Sequence, residues 1–167
     1  LTLNRRQTFL AVYLSSIVGS PSIGVYSLAT ETMVIIPVMV PQEKAQEFAD
    51  WLKTDLVYSP ICGSVLVGAL ACANSNGMLV PNSIRPEELE RIKAVFSGNI
   101  TVMETKKTAY GNLVLTNDKG AIVDPRFKPR EIKQISETLG VEAVPTEIAS
   151  LPYVGSLANV TNKGALA

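Results

Sequence analysis

The stretch GNLVLTNDKGAIVDP at residues 111–125 carries a pattern that recurs along this chain. It consists of a glycine, an apolar run, an asparagine-bearing turn closed by a second glycine, and a second apolar run. GALACANSNGMLVP (68–81) and GSLANVTNKGALA (155–167) repeat it, and in all three the two glycines are nine residues apart. GVYSLATETMVIIP (24–37) is a diverged copy with Met33 in place of the second glycine. These copies indicate a chain built from a repeated structural unit.

The spacing of the copies predicts what the unit is. Their first glycines are Gly24, Gly68, Gly111 and Gly155, so the period is 43 or 44 residues. In a repeat of this kind each unit needs its neighbours to bury its apolar face. The two apolar runs predict two strands, the amphipathic segment that follows predicts a helix, and a further short apolar run predicts a third strand. The unit is therefore strand–strand–helix–strand.

The predicted elements follow from this unit. Helices are expected at residues 41–53, 86–96 and 129–139, where a proline precedes apolar residues at helical spacing. Strands are expected at residues 25–29, 33–38, 56–61, 65–73, 78–80, 100–105, 112–116, 121–123, 141–144, 154–160 and 165–166. First strands such as VLVGALACA (65–73) are apolar on both faces, which is typical of strands buried between a helix layer and a central core.

Composition narrows the classes of function. Fifteen basic residues balance fifteen acidic ones, so the chain as a whole has no electrostatic attraction for DNA, RNA or anionic membranes. The absence of histidine excludes Ser–His and Cys–His nucleophilic pairs and most zinc sites. Two cysteines form no disulfide framework and suggest a reducing compartment. No glycine-rich phosphate loop or metal-ligand pair is present, and no cofactor is expected.

The first residues allow two interpretations. Arg5 and Arg6 followed by FLAVYLSSIV resemble the basic and apolar parts of a signal peptide. We favour a short extension running into the first strand, because Ser15 and Ser16 interrupt an apolar stretch too short to span a bilayer. Residues 1–16 are therefore predicted to be an extension. The starting leucine, and a last copy that stops after its second apolar run, predict a piece of a longer chain or a faulty gene model.

Several long motifs resemble the translation initiation factor 6 family, in its archaeal form. They are GNLVLTNDKGAIVDP, ETLGVEAVPTEIASLPYVGS, VTNKGALA, ANSNGMLVPNSIRPEELERIK and SPSIGVYSLATE, and the resemblance covers residues 17–167. It implies an α/β fold of the pentein type, a β/α-propeller with five units around a pseudo-fivefold axis. About three and a half units would be present, at residues 17–62, 63–106, 107–150 and 151–167. The missing units leave closure of the ring in question.

The same resemblance implies a function without catalysis. Members of the family bind the large ribosomal subunit where the small subunit would dock and block subunit joining, and in eukaryotes they also take part in large-subunit assembly. The expected partner is mainly a ribosomal protein, with a minor contact to ribosomal RNA. We expect a cytoplasmic monomer that needs no cofactor or metal and binds neither membrane nor DNA. The alternative is an enzyme of the guanidine-modifying pentein type, which lacks support because Cys62 and Cys72 have no histidine to activate them.

One group of candidate contact residues follows the repeat glycines. Pseudosymmetry would bring Val25, Ala69, Asn112 and Ser156 onto one face near the axis. Asn112 opens an otherwise apolar strand, so its amide either caps a backbone group or faces a partner. The resemblance favours a contact with a ribosomal protein at Asn112. Ala69 departs from the basic residue of eukaryotic members, which puts a charge contact there in doubt.

A second group lies in the turns and their surroundings. Asn117 and Lys119 could form a contact rim together with other turn residues, namely Asn74, Asp118 and Lys163. Alternatively, these asparagines only make turns. Lys106, Lys107 and Lys119 could meet RNA phosphates or form a solvated face. Glu88 and Arg91 are predicted to pair on the solvent side of the helix at 86–96.

Overall fold

The computed structural model describes residues 12–167, so most of the predicted extension lies outside the described residues. The described chain is a mixed α/β structure, and its first regular element is a helix rather than a strand. In chain order the elements are α1 (Ile23–Tyr26), β1 (Leu28–Ala29), β2 (Met33–Ile36), α2 (Gln42–Leu52), β3 (Asp55–Tyr58), α3 (Val67–Leu70), β4 (Cys72–Ala73), β5 (Gly77–Pro81), α4 (Pro86–Lys93), β6 (Asn99–Met103), α5 (Tyr110–Leu113), β7 (Val114–Thr116), β8 (Ala121–Val123), α6 (Pro129–Leu139), β9 (Ala143–Pro145), α7 (Val154–Leu157), β10 (Asn159–Thr161) and β11 (Gly164–Leu166).

Residues 12–167 form three three-stranded sheets and one hairpin. The sheets have the strand orders β1-β2-β3, β4-β5-β6 and β7-β8-β9. In each, the middle strand is antiparallel to the first strand and parallel to the third; Met78, for example, pairs with Ala73 on one side and Ile100 on the other. The hairpin β10–β11 repeats the antiparallel pair, with Val160 opposite Ala165. The predicted strand–strand–helix–strand unit is therefore confirmed in three successive sheets.

The predicted first strands are wrong in their front parts. Sequence analysis places strands at residues 25–29, 65–73, 112–116 and 154–160. In the structure each unit instead opens with a one-turn helix, α1, α3, α5 or α7, and only the last two or three residues before the turn pair as a strand. The helix predicted at residues 129–139 has the bounds of α6, whereas α4 ends three residues before the predicted end.

Close packing of the repeat glycines explains the helical turns. A Cβ on Gly111 would lie 2.7 Å from the carbonyl oxygen of Ala71 and closer still to that of Gly68. A Cβ on Gly155 would meet the carbonyl oxygens of Gly111 and Val114 in the same way. Each of these glycines lies against the backbone of the preceding unit, where no side chain has room. A one-turn helix brings the two backbones into contact. The apolar sequence pattern does not show this contact, so it predicts a continuous strand instead.

Neighbouring units share their apolar cores. Met33 and Ile35 on one face of β2 belong to the cluster that also contains Ile92 of α4, which is part of the next unit. Val34 and Ile36 on the other face pack in a separate cluster with α2. Strand β2 is thus buried on both faces, and the two-sided burial predicted for the first strands is found in the second strand. A unit cut from its neighbour would expose half of this surface.

Glu88 joins two units from a buried position. It is 1% exposed, so the predicted solvent-side pairing with Arg91 is wrong. Its carboxylate accepts hydrogen bonds from the backbone N–H groups of Cys62 (2.8 Å), Gly63 (2.6 Å) and Arg85 (3.0 Å). Cys62 and Gly63 form the tight junction between the first two units, with φ of 55° and 69°. The carboxylate therefore holds a strained junction against the start of α4.

The glycine packing predicts that one substitution has different effects in equivalent positions. Gly111→Ala places a methyl group against the backbone of the preceding unit and should lower the free energy of unfolding by at least about 2 kcal/mol. Gly24→Ala is the matched control, because a Cβ there meets nothing within 4 Å. That variant should stay within about 0.5 kcal/mol of the parent or be slightly more stable. Urea unfolding measures both, and equal losses would show that the glycine contact is unimportant.

Removing the Glu88 carboxylate should destabilise the junction. Glu88→Ala leaves the N–H groups of Cys62 and Gly63 without an acceptor, at a cost of about 2–4 kcal/mol in the free energy of unfolding. Glu87→Ala, an exposed carboxylate in the same helical turn, should change it by less than about 0.5 kcal/mol. The comparison is made by thermal and urea unfolding. Similar effects of the two variants would contradict the role of Glu88.

Candidate functional site

A cavity of about 760 Å³ lies where the four one-turn helices of residues 12–167 meet. Val25, Asn112 and Ser156 line it, next to the repeat glycines. Ala69 also follows a repeat glycine but is not part of the lining. The structure therefore brings three of the four predicted axial residues to one cavity. None of the four is charged, so this central face is a neutral surface.

Asn112 has an available side chain in this face. It is half-buried in α5, and its backbone N–H donates to the carbonyl oxygen of Ala109. Its side-chain amide forms no hydrogen bond with residues 12–167, so the predicted alternative of a backbone cap is not found there. An amide has two donors and an acceptor that need partners when a surface is covered. The geometry suits a contact with another molecule.

The turn residues have a structural role in every unit. The side-chain oxygen of Asn117 accepts hydrogen bonds from the N–H groups of Lys119 (2.9 Å) and Gly120 (3.1 Å). Asn74 accepts from its own turn in the same pattern, and the hydroxyls of Thr30 and Thr161 replace the amide in the other two units. Asparagine and threonine stabilise tight turns through such hydrogen bonds between the side-chain oxygen and backbone N–H groups. The turn-making alternative thus accounts for Asn117.

Adjacent turns are also bonded to each other. The Asp118 carboxylate accepts from the backbone N–H (2.8 Å) and hydroxyl (2.9 Å) of Ser75 and from the amide of Asn162 (2.7 Å). Burial alone would raise the pKa of Asp118, but these hydrogen bonds outweigh it and hold the pKa below its usual range. Lys119 Nζ donates to the carbonyl oxygen of Asn162 at 2.8 Å. Asn117 and Lys119 therefore connect units, which limits their freedom to meet a partner.

The predicted lysine cluster is divided in the structure. Lys119 lies in the β7–β8 turn, whereas Lys107 lies at the other end of that hairpin, beside the start of α6. There Lys107 Nζ is 3.3 Å from Glu131 Oε2 and 4.7 Å from the centre of the Phe127 ring. Lys106 is exposed. A combined contact of Lys106, Lys107 and Lys119 with one phosphate strand is not supported.

The cysteines are not activated. Burial raises the pKa of the Cys62 thiol, and the nearby Glu88 carboxylate raises it further, against a hydrogen bond with Ser83 and the charge of Arg85. Burial raises the pKa of Cys72 to about 12. A nucleophilic cysteine needs the opposite shift, since the thiolate is the reactive form. Both thiols are therefore inert near neutral pH.

Residues 12–167 contain no group of three or more cysteine or acidic side chains arranged to hold a metal ion. None of the helices in that range is long and apolar enough to cross a bilayer.

Sequence analysis missed one polar assembly at the boundary of the third and fourth units. Asp124 is completely buried and accepts hydrogen bonds from the guanidinium of Arg126, whose carbon lies over the Tyr153 ring, 4.9 Å from its centre. These hydrogen bonds outweigh the effect of burial and lower the pKa of Asp124. The available signal was the basic run RFKPR at residues 126–130, directly after the repeated turn.

Comparison with known proteins gives the family. A family model described as the eIF-6 family matches residues 12–167. The chain is 42% identical over 153 residues to translation initiation factor 6 of Methanocaldococcus jannaschii and 41% identical to that of Pyrococcus abyssi, matches that each cover 89% of this chain and 67% of the relative. With the factor of Saccharolobus islandicus it shares 37% identity, over 90% of this chain and 69% of the relative. On the strength of these matches, the chain belongs to the eIF-6 family.

Proposed function

We propose that this protein is a translation initiation factor that binds the large ribosomal subunit and prevents its premature joining to the small subunit. The family consists of translation factors and not of enzymes, and its relatives carry the name translation initiation factor 6. The mechanism is overlap of two footprints on the large subunit, without chemistry. The same binding would serve a role in large-subunit assembly. The protein would act in the cytoplasm as a monomer.

The side-chain amide of Asn112, which has no hydrogen-bond partner among residues 12–167, carries this proposal. The repeat supplies an internal control, because Val25, Ala69 and Ser156 occupy the equivalent third position of the other one-turn helices. The fold therefore does not need an amide at Asn112. The fold thus leaves a polar group free on a central face that carries no charge. Such a face suits contact with a protein surface better than contact with phosphates. A ribosomal protein is the proposed main partner.

We also propose that residues 17–167 are one domain of the pentein type, built from the units at residues 17–62, 63–106, 107–150 and 151–167. The glycine contacts support a closed arrangement of more than four units. Gly68, Gly111 and Gly155 each lie on the backbone of the unit before, whereas the corresponding space beside Gly24 is open. Leu52 and Leu166 both line the central cavity and are exposed, so they offer apolar surface to a further unit.

Replacing Asn112 tests the proposed contact. Asn112→Ala should weaken binding to isolated large subunits by about 1–3 kcal/mol, because the partner's buried polar group loses its hydrogen bond. The free energy of unfolding should remain within about 0.5 kcal/mol of the parent. Asn82→Ala, an exposed asparagine outside the cavity lining, is the matched control and should bind as the parent does. Co-sedimentation with large and small subunits measures binding, and light scattering measures subunit joining.

Two results would contradict the proposal in different ways. Asn112→Ala that binds normally but is less stable would make Asn112 a structural residue and remove the site assignment. A parent protein that binds large subunits without slowing subunit joining would refute exclusion, whatever the variant does.

A further inference from the structure

We propose that the surface formed by Arg126, Lys128, Arg130 and Tyr153 binds RNA, and we call it the basic–aromatic surface. This deepens the proposed function, on which it rests, because it assigns the RNA side of the subunit contact to residues other than Asn112. The surface lies where the third unit passes into the fourth. It combines exposed cations with an aromatic ring, which are the two kinds of group that bind phosphates and stack on bases.

Arg126 is held in a fixed orientation by a carboxylate that solvent does not reach. Nε donates to both oxygens of Asp124, at 2.9 and 3.1 Å, and Nη2 contacts Oδ2. The Arg126 side chain is still 54% exposed, and Nη1 has no hydrogen-bond partner among residues 12–167. The guanidinium is therefore oriented before any ligand arrives, so less conformational freedom is lost on binding.

The carboxylates beside this surface, Asp124 and Glu131, already accept hydrogen bonds from other groups of the protein. Glu131 Oε2 accepts from Lys107 Nζ at 3.3 Å and from the backbone N–H of Lys128 at 2.7 Å. Neither Lys128 nor Arg130 has a carboxylate oxygen within 4.0 Å in residues 12–167, and both side chains are exposed. Two exposed cations without an ion-pair partner among residues 12–167 thus lie two and four residues after the oriented Arg126. Their charge is available to a polyanion even though the whole chain is neutral.

Tyr153 favours RNA over an acidic peptide. Its ring is 47% exposed and lies against Arg126, 4.9 Å from the guanidinium carbon. Unpaired nucleobases stack on such rings and on guanidinium planes, whereas a chain of carboxylates gains nothing from a flat aromatic surface. The expected ligand is a structured RNA that presents an unpaired base beside two or three phosphates.

The test uses the full chain and a labelled RNA stem-loop, with binding followed by fluorescence anisotropy between about 50 and 200 mM salt. The double variant Lys128→Gln with Arg130→Gln should weaken binding about tenfold and lower the slope of log K against log salt by nearly two. Arg91→Gln with Lys93→Gln, exposed cations of α4, removes the same charge elsewhere and should change the affinity less than about twofold. Tyr153→Leu should weaken binding about fivefold with an unchanged salt slope, because stacking releases no counterions.

Each contrary result is distinct. Equal losses in the two double variants would mean a diffuse charge effect and overturn the assignment. Poly-glutamate binding as tightly as RNA, with the same dependence on Lys128 and Arg130, would make the partner an acidic protein. Co-sedimentation with large subunits is measured in parallel. If the parent fails to co-sediment, the proposed function fails; if it co-sediments and the surface variants bind RNA normally, only this inference fails.

Discussion

The contact of each repeat glycine with the backbone of the preceding unit constrains the rest of the structure. Gly68, Gly111 and Gly155 each have two carbonyl oxygens of the earlier unit in the place of a side chain. Because the backbones are so close, each unit must meet the preceding one in the same orientation. Units that are placed alike need nearly the same length, which explains the nearly constant period of the copies. The one-turn helices exist because this approach needs a coiled segment. The one-turn helices in turn determine where the sheet, the longer helix and the turn of each unit lie.

The units depend on one another at three levels. The glycines join them at the centre, β2 and β5 are buried on both faces between neighbouring helices, and the turns are bonded side by side through Asp118. Against the opposing effect of burial, the hydrogen bonds from Asn162 and Ser75 favour the charged form of Asp118 and lower its pKa. Its contribution to stability is present above the pKa of the unfolded chain and disappears as the pH falls through the lower pKa of the folded state.

Much of this fold can be predicted from the sequence because every copy of the repeat carries the same pattern of glycines, apolar runs and helix. The helix at residues 129–139 has both predicted bounds, since Pro129 opens it and Gly140 ends it with φ of 64°. The one-turn helices could not be predicted from apolar runs, because their cause is contact with another unit. The burial of Glu88 could not be predicted for a related reason: the backbone N–H groups of Cys62 and Gly63 that donate to its carboxylate lie 26 and 25 residues away. Pro86 and the acidic first turn nevertheless marked Glu88 as part of a capping arrangement.

The repeat also separates residues that build the fold from residues that are free to bind. At the turns, a side-chain oxygen recurs in all four units of residues 12–167, so Asn117 does what Thr30 and Thr161 do elsewhere and needs no partner to explain it. At the centre, the equivalents of Asn112 are an aliphatic residue, an alanine and a serine. The same comparison isolates Arg126, because the residue fifteen positions after the first repeat glycine is Met39 in the first unit and Ser83 in the second. Where one copy alone carries an amide or a charged group, the structural requirement that all copies share is not its cause, and binding is the explanation to test first.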